Sequence, residues 1–234
     1  KYYRIKKCRL CNSKNLNTLI DFRDISASSF FPKKSNNYSK VTPMIFGICN
    51  NCNLAQLLHN YRLKDLYNED YGYRSGINKS MINHLKNITV EIKKIVKFNR
   101  NDHVLDIASN DGTLLHSYKT KNIRLVGIDP TIKKLGKFYS KKIKKKAELF
   151  NKKTFFKLSK NKKAKVVTSI AMFYDLQDPN KFVSDIKDIL TNDGIWVMEM
   201  YDVPTLIKSN AYDSICHEHI TYMTLSHIEY LCKK

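Results

Sequence analysis

The chain has 234 residues, 42 Lys+Arg against 21 Asp+Glu, a formal charge of +21 and six cysteines. With 42% apolar residues, 14 Tyr and 11 Phe it can bury a core across one to two domains, which excludes a uniformly disordered polycation. No apolar run approaches the roughly 18 residues of a membrane span and no charged-then-apolar leader is present, so no membrane association and a cytoplasmic location are expected. Lysine supplies 35 of the basic residues and arginine seven, beside 22 Asn and 23 Ile; these are residues of AT-rich codons, and codon usage accounts for much of the charge. The run Lys141 to Lys146 lacks the interleaved aromatics that base stacking needs, so it reads as a solvated helix end and nucleic acid is not the expected partner.

Residues 1–66 read as a metal-organised module. Cys8-Arg-Leu-Cys11 and Cys49-Asn-Asn-Cys52 are matched pairs with 37 residues between them. Each C-x-x-C turn points two thiolates at a common centre, and two turns supply the tetrahedral sulfur set of a structural zinc. Disulfides, a redox motif or an iron site use the same residues; the absent leader and the doubled motif favour zinc. Four thiolates leave no open coordination position, so the metal is expected to hold structure. A polar stretch from Lys33 to Lys40 reads as a surface loop, and Cys216 and Cys232 as ordinary thiols.

A tyrosine-rich segment and a connecting helix occupy residues 67–100. Met81, Leu85, Ile88, Ile92 and Ile95 step by four and three along a helix predicted from Lys79 to Phe98. From residue 101 to 234 the pattern becomes strand, turn, helix, repeated. Strands are expected at 103–108, 123–129, near Ala147, 165–170 and 195–200, with helices from Thr113, from Ile132 and at 182–190. Such alternation predicts an α/β, doubly wound parallel sheet.

The first strand runs into Asp106-Ile-Ala-Ser-Asn-Asp-Gly112 just before a helix. Small or polar residues there (Ala108, Asn110, Asp111, Gly112) let the backbone approach a ligand at the sheet's carboxyl edge. Asp129, followed by Pro130, ends the second strand, where a carboxylate can accept from both hydroxyls of a ribose. The dinucleotide glycines are missing, and an acid within the loop repels a pyrophosphate but accepts from the ammonium of S-adenosylmethionine (SAM). Phe173 and Tyr174, after the fourth strand, suit the neighbourhood of a sulfonium. Further on, Cys216-His217-Glu218-His219 places a carboxylate between two groups whose ordinary titration is near neutrality, a set that can abstract a proton but that spacing alone favours as a packed or surface pair.

Several of these motifs together resemble the SAM-dependent C-methyltransferases of nucleotide-activated deoxysugars. Asp106 to Leu115 is similar to their D-I-G-S-N-D-G-T-L-L loop, and the paired knuckles to their N-terminal zinc module. Tyr71-Gly-Tyr-Arg-Ser-Gly76 with Met81-Ile-Asn-His84, and Tyr212-Asp-Ser-Ile-Cys-His-Glu-His-Ile-Thr-Tyr222, match two further motifs in the same order. The resemblance implies a class I SAM methyltransferase fold and a nucleotide-sugar substrate. It implies His219 as the base that forms an enolate, with Glu218 and His217 in support. Tyr71 or Tyr73 would then donate to the ketone oxygen, packing being their alternative role. It also implies two late strands and a C-terminal domain beyond Lys234, so the methyltransferase domain at 101–234 is expected to be incomplete.

Two departures stand out. Ala108 replaces a glycine of the loop. Ala171-Met-Phe-Tyr-Asp-Leu-Gln-Asp178 stands where many members have N-V-F-A-H-V-D-D, and Cys216 where many have Tyr, which implies a different substrate pocket. The rival expectations are an RNA methyltransferase, disfavoured because no [DNS]-P-P-[YF] motif follows the fourth strand, another small-molecule O- or N-methyltransferase, and an inactive fragment binding zinc and SAM.

Overall fold

The computed structural model describes residues 2–28, 41–67 and 71–233. The expected loop at Lys33 to Lys40 lies outside the described residues. Packing divides the chain into two compact units that interleave along the sequence: residues 1–72 with 171–183 and 199–234, and residues 73–170 with 184–198.

In the first unit, β1 (Tyr2–Arg4) is followed by a long hairpin of β2 (Leu16–Ser26) and β3 (Val41–Cys49), then β4 (Ala55–Leu57), β5 (His59–Tyr61) and the single turn α1 (Leu63–Leu66). β1 pairs antiparallel with β5, and β2 with β3. Met44, Leu57, Tyr61, Leu66 and Ile220 form the buried core of this unit.

The second unit opens with α2 (Lys79–Ile95), capped by the Asn78 side chain accepting from the Ser80 amide. Leu85, Ile88 and Ile92 turn inward as their spacing predicts, but Ile95 is 73% exposed and Val96 is buried in its place. The helix ends at Ile95, and the extended backbone of Val96 swings the next apolar side chain into the core.

Strand and helix then alternate: β6 (His103–Ile107), α3 (Thr113–Ser117), β7 (Arg124–Ile128), α4 (Ile132–Leu135), β8 (Lys144–Lys146), α5 (Lys152–Ser159), β9 (Ala164–Ile170), α6 (Pro179–Ile189) and β10 (Leu190–Glu199). The five strands lie in the order β10-β9-β6-β7-β8, and β6 pairs parallel with both β7 and β9. Val104, Val126, Val166 and Val167 are inaccessible, as β-branched residues are in a sheet covered on both faces.

The lysine run corrects one expectation. Lys144, Lys145 and Lys146 are not a helix end but the strand β8, paired parallel with Val126, Gly127 and Ile128. At the end of the sheet order, their charges guard an edge that an apolar strand would leave open to association.

The chain closes with α7 (Val203–Lys208), β11 (Thr221–Tyr222) and α8 (Leu225–Cys232), all in the first unit. β11 completes that unit's sheet in the order β11-β4-β3-β2. Among the described residues no helix is long and apolar enough to cross a membrane.

Candidate functional site

Three groups of residues carry chemistry, two in the first unit and one in the second. The four cysteines of the first come together, their Sγ atoms all within 4.8 Å of one another. Cys8 and Cys52 approach to 3.6 Å, as do Cys11 and Cys49. A disulfide would need about 2.05 Å, whereas sulfurs about 2.3 Å from a tetrahedral zinc are separated by about 3.8 Å. The residues therefore fit zinc.

Each knuckle closes in the same way. Asn12 and Asn53 donate their amides back to Cys8 and Cys49 at 3.1 and 2.8 Å, and both adopt left-handed backbone, φ 63° and 59°. Asparagine tolerates that conformation better than most residues. The Leu10 amide and the Gln56 side chain point N–H groups at Cys8 Sγ from 3.4 and 3.3 Å, which favours the thiolate.

Arg9, inside the first knuckle, gave no signal in the sequence beyond its charge. Its guanidinium is buried, donating to the carbonyls of Leu57 at 2.5 Å and His59 at 2.8 Å and to Asn60 Oδ1 at 2.7 Å. Burial pulls it down to about 10. It ties the knuckle to β4 and β5, and a thiolate–metal centre beside it supplies the negative charge that such burial requires.

The second unit holds the loop after β6. Ala108, Asn110 and Gly112 all take left-handed backbone, with φ of 56°, 48° and 80°. This explains the glycine that Ala108 replaces, because a Cβ makes that conformation unfavourable by about 1 kcal/mol. At Gly112 a Cβ would also lie 3.0 Å from the Tyr139 ring. Tyr139, not foreseen from sequence, closes the loop: its hydroxyl meets Ser109 Oγ at 2.7 Å and donates to the Asn110 carbonyl at 3.0 Å.

The loop's polar side chains are heavily used. Asp111 Oδ2 accepts from Arg74 Nε at 3.1 Å and the Gly76 amide at 2.9 Å, while Oδ1 accepts from Thr113 Oγ1 at 2.6 Å. Asn110 Oδ1 accepts from the Ser75 amide at 2.9 Å, and its Nδ2 donates to the Tyr73 carbonyl at 3.2 Å. Both residues hold the 73–76 segment, with the Tyr73 side chain 48% exposed.

Asp129 accepts from the Asn110 amide at 2.8 Å and from the Thr131 amide and hydroxyl at 2.6 and 2.5 Å. A carboxylate offers about four acceptor sites. Three donors leave room for about one ribose hydroxyl, not the two expected. Asp106 is buried with Thr168 Oγ1 donating to it at 2.6 Å, and burial pushes its carboxyl up to about 7. Pro130 is half-buried beside Asp129. These acceptors fit the ribose hydroxyls and the ammonium of SAM.

The third group is the histidine segment of the first unit. His219 Nδ1 lies 2.8 Å from the Ser214 carbonyl. A carbonyl only accepts, so Nδ1 carries a proton, and in the neutral ring the lone pair is on Nε2. The ring meets Tyr174 edge-on at a centroid distance of 4.6 Å, and Tyr174 stacks on Tyr201 at 4.3 Å.

His217 has a different environment. It is 1% exposed, packs edge-on against Tyr61 at 5.1 Å, and burial pulls it below its ordinary value. Phe173 is wholly buried against Phe182, ring centroids 5.7 Å apart. Tyr71 lies edge-on to Tyr67 at 5.3 Å, and Glu218 is half-buried. Asp175 and Tyr67 join this cluster, the Tyr67 hydroxyl donating to Asp175 Oδ2 at 2.6 Å. Neither was picked out from sequence; the departure at Ala171 to Asp178 was the available signal for Asp175.

Residues 81–234 match the family model of a methyltransferase domain. The chain belongs to that family. A second model, for a zinc-binding domain, matches residues 8–67 and so spans both cysteine pairs. The C-methyltransferase NovU of Streptomyces niveus is 21% identical over 224 residues, covering 94% of this chain and 53% of its own length. The chain thus spans about half the length of the curated relative it matches.

Among solved structures, the complex of the Haloferax volcanii Trm112 methyltransferase activator with a methyltransferase aligns at TM-score 0.52 and 15% identity, over 68% of this chain and 71% of that one. The YcgJ protein of Bacillus subtilis aligns at TM-score 0.50 and 16% identity, over 64% and 66%. These likenesses support the fold, a class I methyltransferase sheet, and the four clustered cysteines accompany it.

Proposed function

We propose that this protein is a cytoplasmic C-methyltransferase that methylates a nucleotide-linked keto-deoxysugar through an enolate. The observation that carries the reading is the tautomer of His219: Nδ1 is committed to the Ser214 carbonyl, and Nε2 is left as a base in an aromatic setting. The similarity to a C-methyltransferase supports transfer to carbon. The motifs shared with the deoxysugar enzymes support the substrate class, and the paired thiols favour a reducing compartment.

A sugar carbon becomes acidic only beside a ketone. His219 Nε2 takes the proton from that carbon, the C–H electron pair forms the enolate double bond, and the carbonyl pair moves onto oxygen. SAM, when bound, supplies an electrophilic methyl whose bond to sulfur breaks as the carbon–carbon bond forms and the ketone returns. Asp129 accepts from the ribose, and Asp106 and the loop at 108–112 line the same strand ends. Glu218 supports the charge on His219, and Tyr71 or Tyr73 is a donor for the ketone. Cys8, Cys11, Cys49 and Cys52 would hold zinc, which would keep the first unit folded.

The test is His219→Ala, assayed for methyl transfer to a thymidine-diphosphate keto-deoxyhexose and for SAM binding by calorimetry. Turnover should vanish while SAM affinity stays within about threefold. Methyl transfer retained by the variant would remove His219 as the base.

A further inference from the structure

Asp175 ends the short turn Phe173–Asp175 after β9, in the stretch where this chain departs from the deoxysugar pattern. One of its oxygens is satisfied by the Tyr67 hydroxyl at 2.6 Å. The other, Oδ1, is shut off from solvent and has no hydrogen-bond partner among the described residues. The other such buried orphans are hydroxyls and nitrogens; Asp175 contributes the one carboxyl. A buried acceptor without a donor is unfavourable, and folded proteins rarely keep one without use.

Its surroundings show where the use lies. His219, Glu218 and Cys216 are all within electrostatic reach of the carboxyl. Tyr174, the preceding residue, carries the His219 ring on its edge, and its carbonyl accepts from the Ile220 amide at 3.1 Å. The orphaned oxygen and the candidate base therefore belong to one cluster.

We propose that Asp175 acts as an uncharged acid whose Oδ1–H donates a hydrogen bond to the substrate ketone oxygen, stabilising the enolate that forms when His219 removes the carbon-bound proton. The assignment rests on the enolate reading above and adds to it the group that carries the developing negative charge. No proton leaves Asp175. The C–H pair becomes the new double bond, the carbonyl pair moves to the oxygen that Asp175 faces, and the hydrogen bond relaxes when methylation restores the ketone. Burial pushes the acid up to about 8, so the donor proton is present at neutral pH, a device known where a carboxylic acid serves an oxyanion site. Tyr67, on the opposite oxygen, leaves Oδ1 to bear the proton.

The experiment is deuterium exchange from solvent into a thymidine-diphosphate keto-deoxyhexose, without SAM, by the full chain and three variants. Wild type should exchange the proton beside the ketone, and His219→Ala should not. Asp175→Ala should slow exchange about 100- to 1000-fold, the usual loss for one oxyanion donor. Asp175→Asn keeps a neutral donor and should stay within about tenfold of wild type. Should Asp175→Ala fail to fold, the pH profile decides. Wild-type exchange should fall above about pH 8 as the acid ionises, and Asp175→Asn should lose that fall; Tyr67, Glu218, Cys216, Tyr174 and His219 face the same carboxyl and are present in both proteins. A folded Asp175→Asn as slow as Asp175→Ala, an Asp175→Ala as fast as wild type, or a fall unchanged by Asp175→Asn overturns the assignment. No exchange by wild type overturns the enolate reading itself, and this assignment with it.

Discussion

Three strand ends of this protein carry buried acids, and they do not treat them alike. Asp111 after β6 collects four donors and Asp129 after β7 three, from backbone amides, hydroxyls and Arg74. After β9, Asp175 collects one and keeps an oxygen bare. Asp111, filled by its own chain, is architecture, because its energy is already used in holding the loop, while Asp129 keeps about one acceptor site open. A carboxylate left half-filled in a buried place is available to a ligand. The count of donors, more than the residue type, separates a scaffold acid from an acting one.

The largest effect should come from the metal, which belongs to none of these loops. A zinc–thiolate site contributes on the order of 10 kcal/mol to folding. Chelation, or Cys49→Ser, should abolish the cooperative melting of the first unit, and elemental analysis should find one zinc per chain in wild type. A chelated protein that melts unchanged would place the stability of that unit elsewhere.

Titration probes the contrast directly. Asp175 lies above its ordinary 3.8, at about 8, so the folded state holds a proton that the unfolded state has released between those values. Stability should therefore fall as pH rises through that window and level off above about 8, a loss on the order of a few kcal/mol. Urea midpoints between about pH 6 and pH 8.5, where the thiolate site stays loaded, should show the fall. Asp175→Asn should flatten it, leaving the shallower contribution of Asp106. A profile that Asp175→Asn leaves unchanged would mean the bare oxygen is not the one titrating.

At the filled end, Asp111→Ala strands the Gly76 amide and Arg74. It should lower stability by about 2 kcal/mol, read from urea unfolding, and free the 73–76 segment to faster amide exchange. An unchanged midpoint would remove the distinction between the two loops. The smallest effect is a gain. Ala108→Gly relieves a left-handed alanine and should add about 1 kcal/mol, or roughly 2–4 °C in Tm. A loss on that substitution would mean the alanine methyl is held by packing worth more than the backbone strain.

Much of this was legible in the residues. The C-x-x-C pairs, the Asp106-to-Gly112 loop and the strand–helix alternation depend on neighbours within a few positions, and local geometry follows from local spacing. The lysine strand was misread because three lysines have no strand pattern of their own; pairing with Val126 to Ile128 made them one. Spacing alone did not separate His217 from His219, and only the resemblance made His219 the base; packing sets His217 against Tyr61 and His219 Nδ1 against the Ser214 carbonyl.

By itself, then, the sequence determined the two cysteine pairs that cluster, the strand–helix alternation of the second unit and the loop after β6, all properties of short stretches of chain. Tertiary structure decided which acid is saturated, which histidine is packed in the core and which oxygen is left bare. Those outcomes depend on partners far away in the chain: Tyr67 and Asp175 are 108 residues apart. Burial and donor supply are properties of the packed neighbourhood, and no spacing rule encodes them.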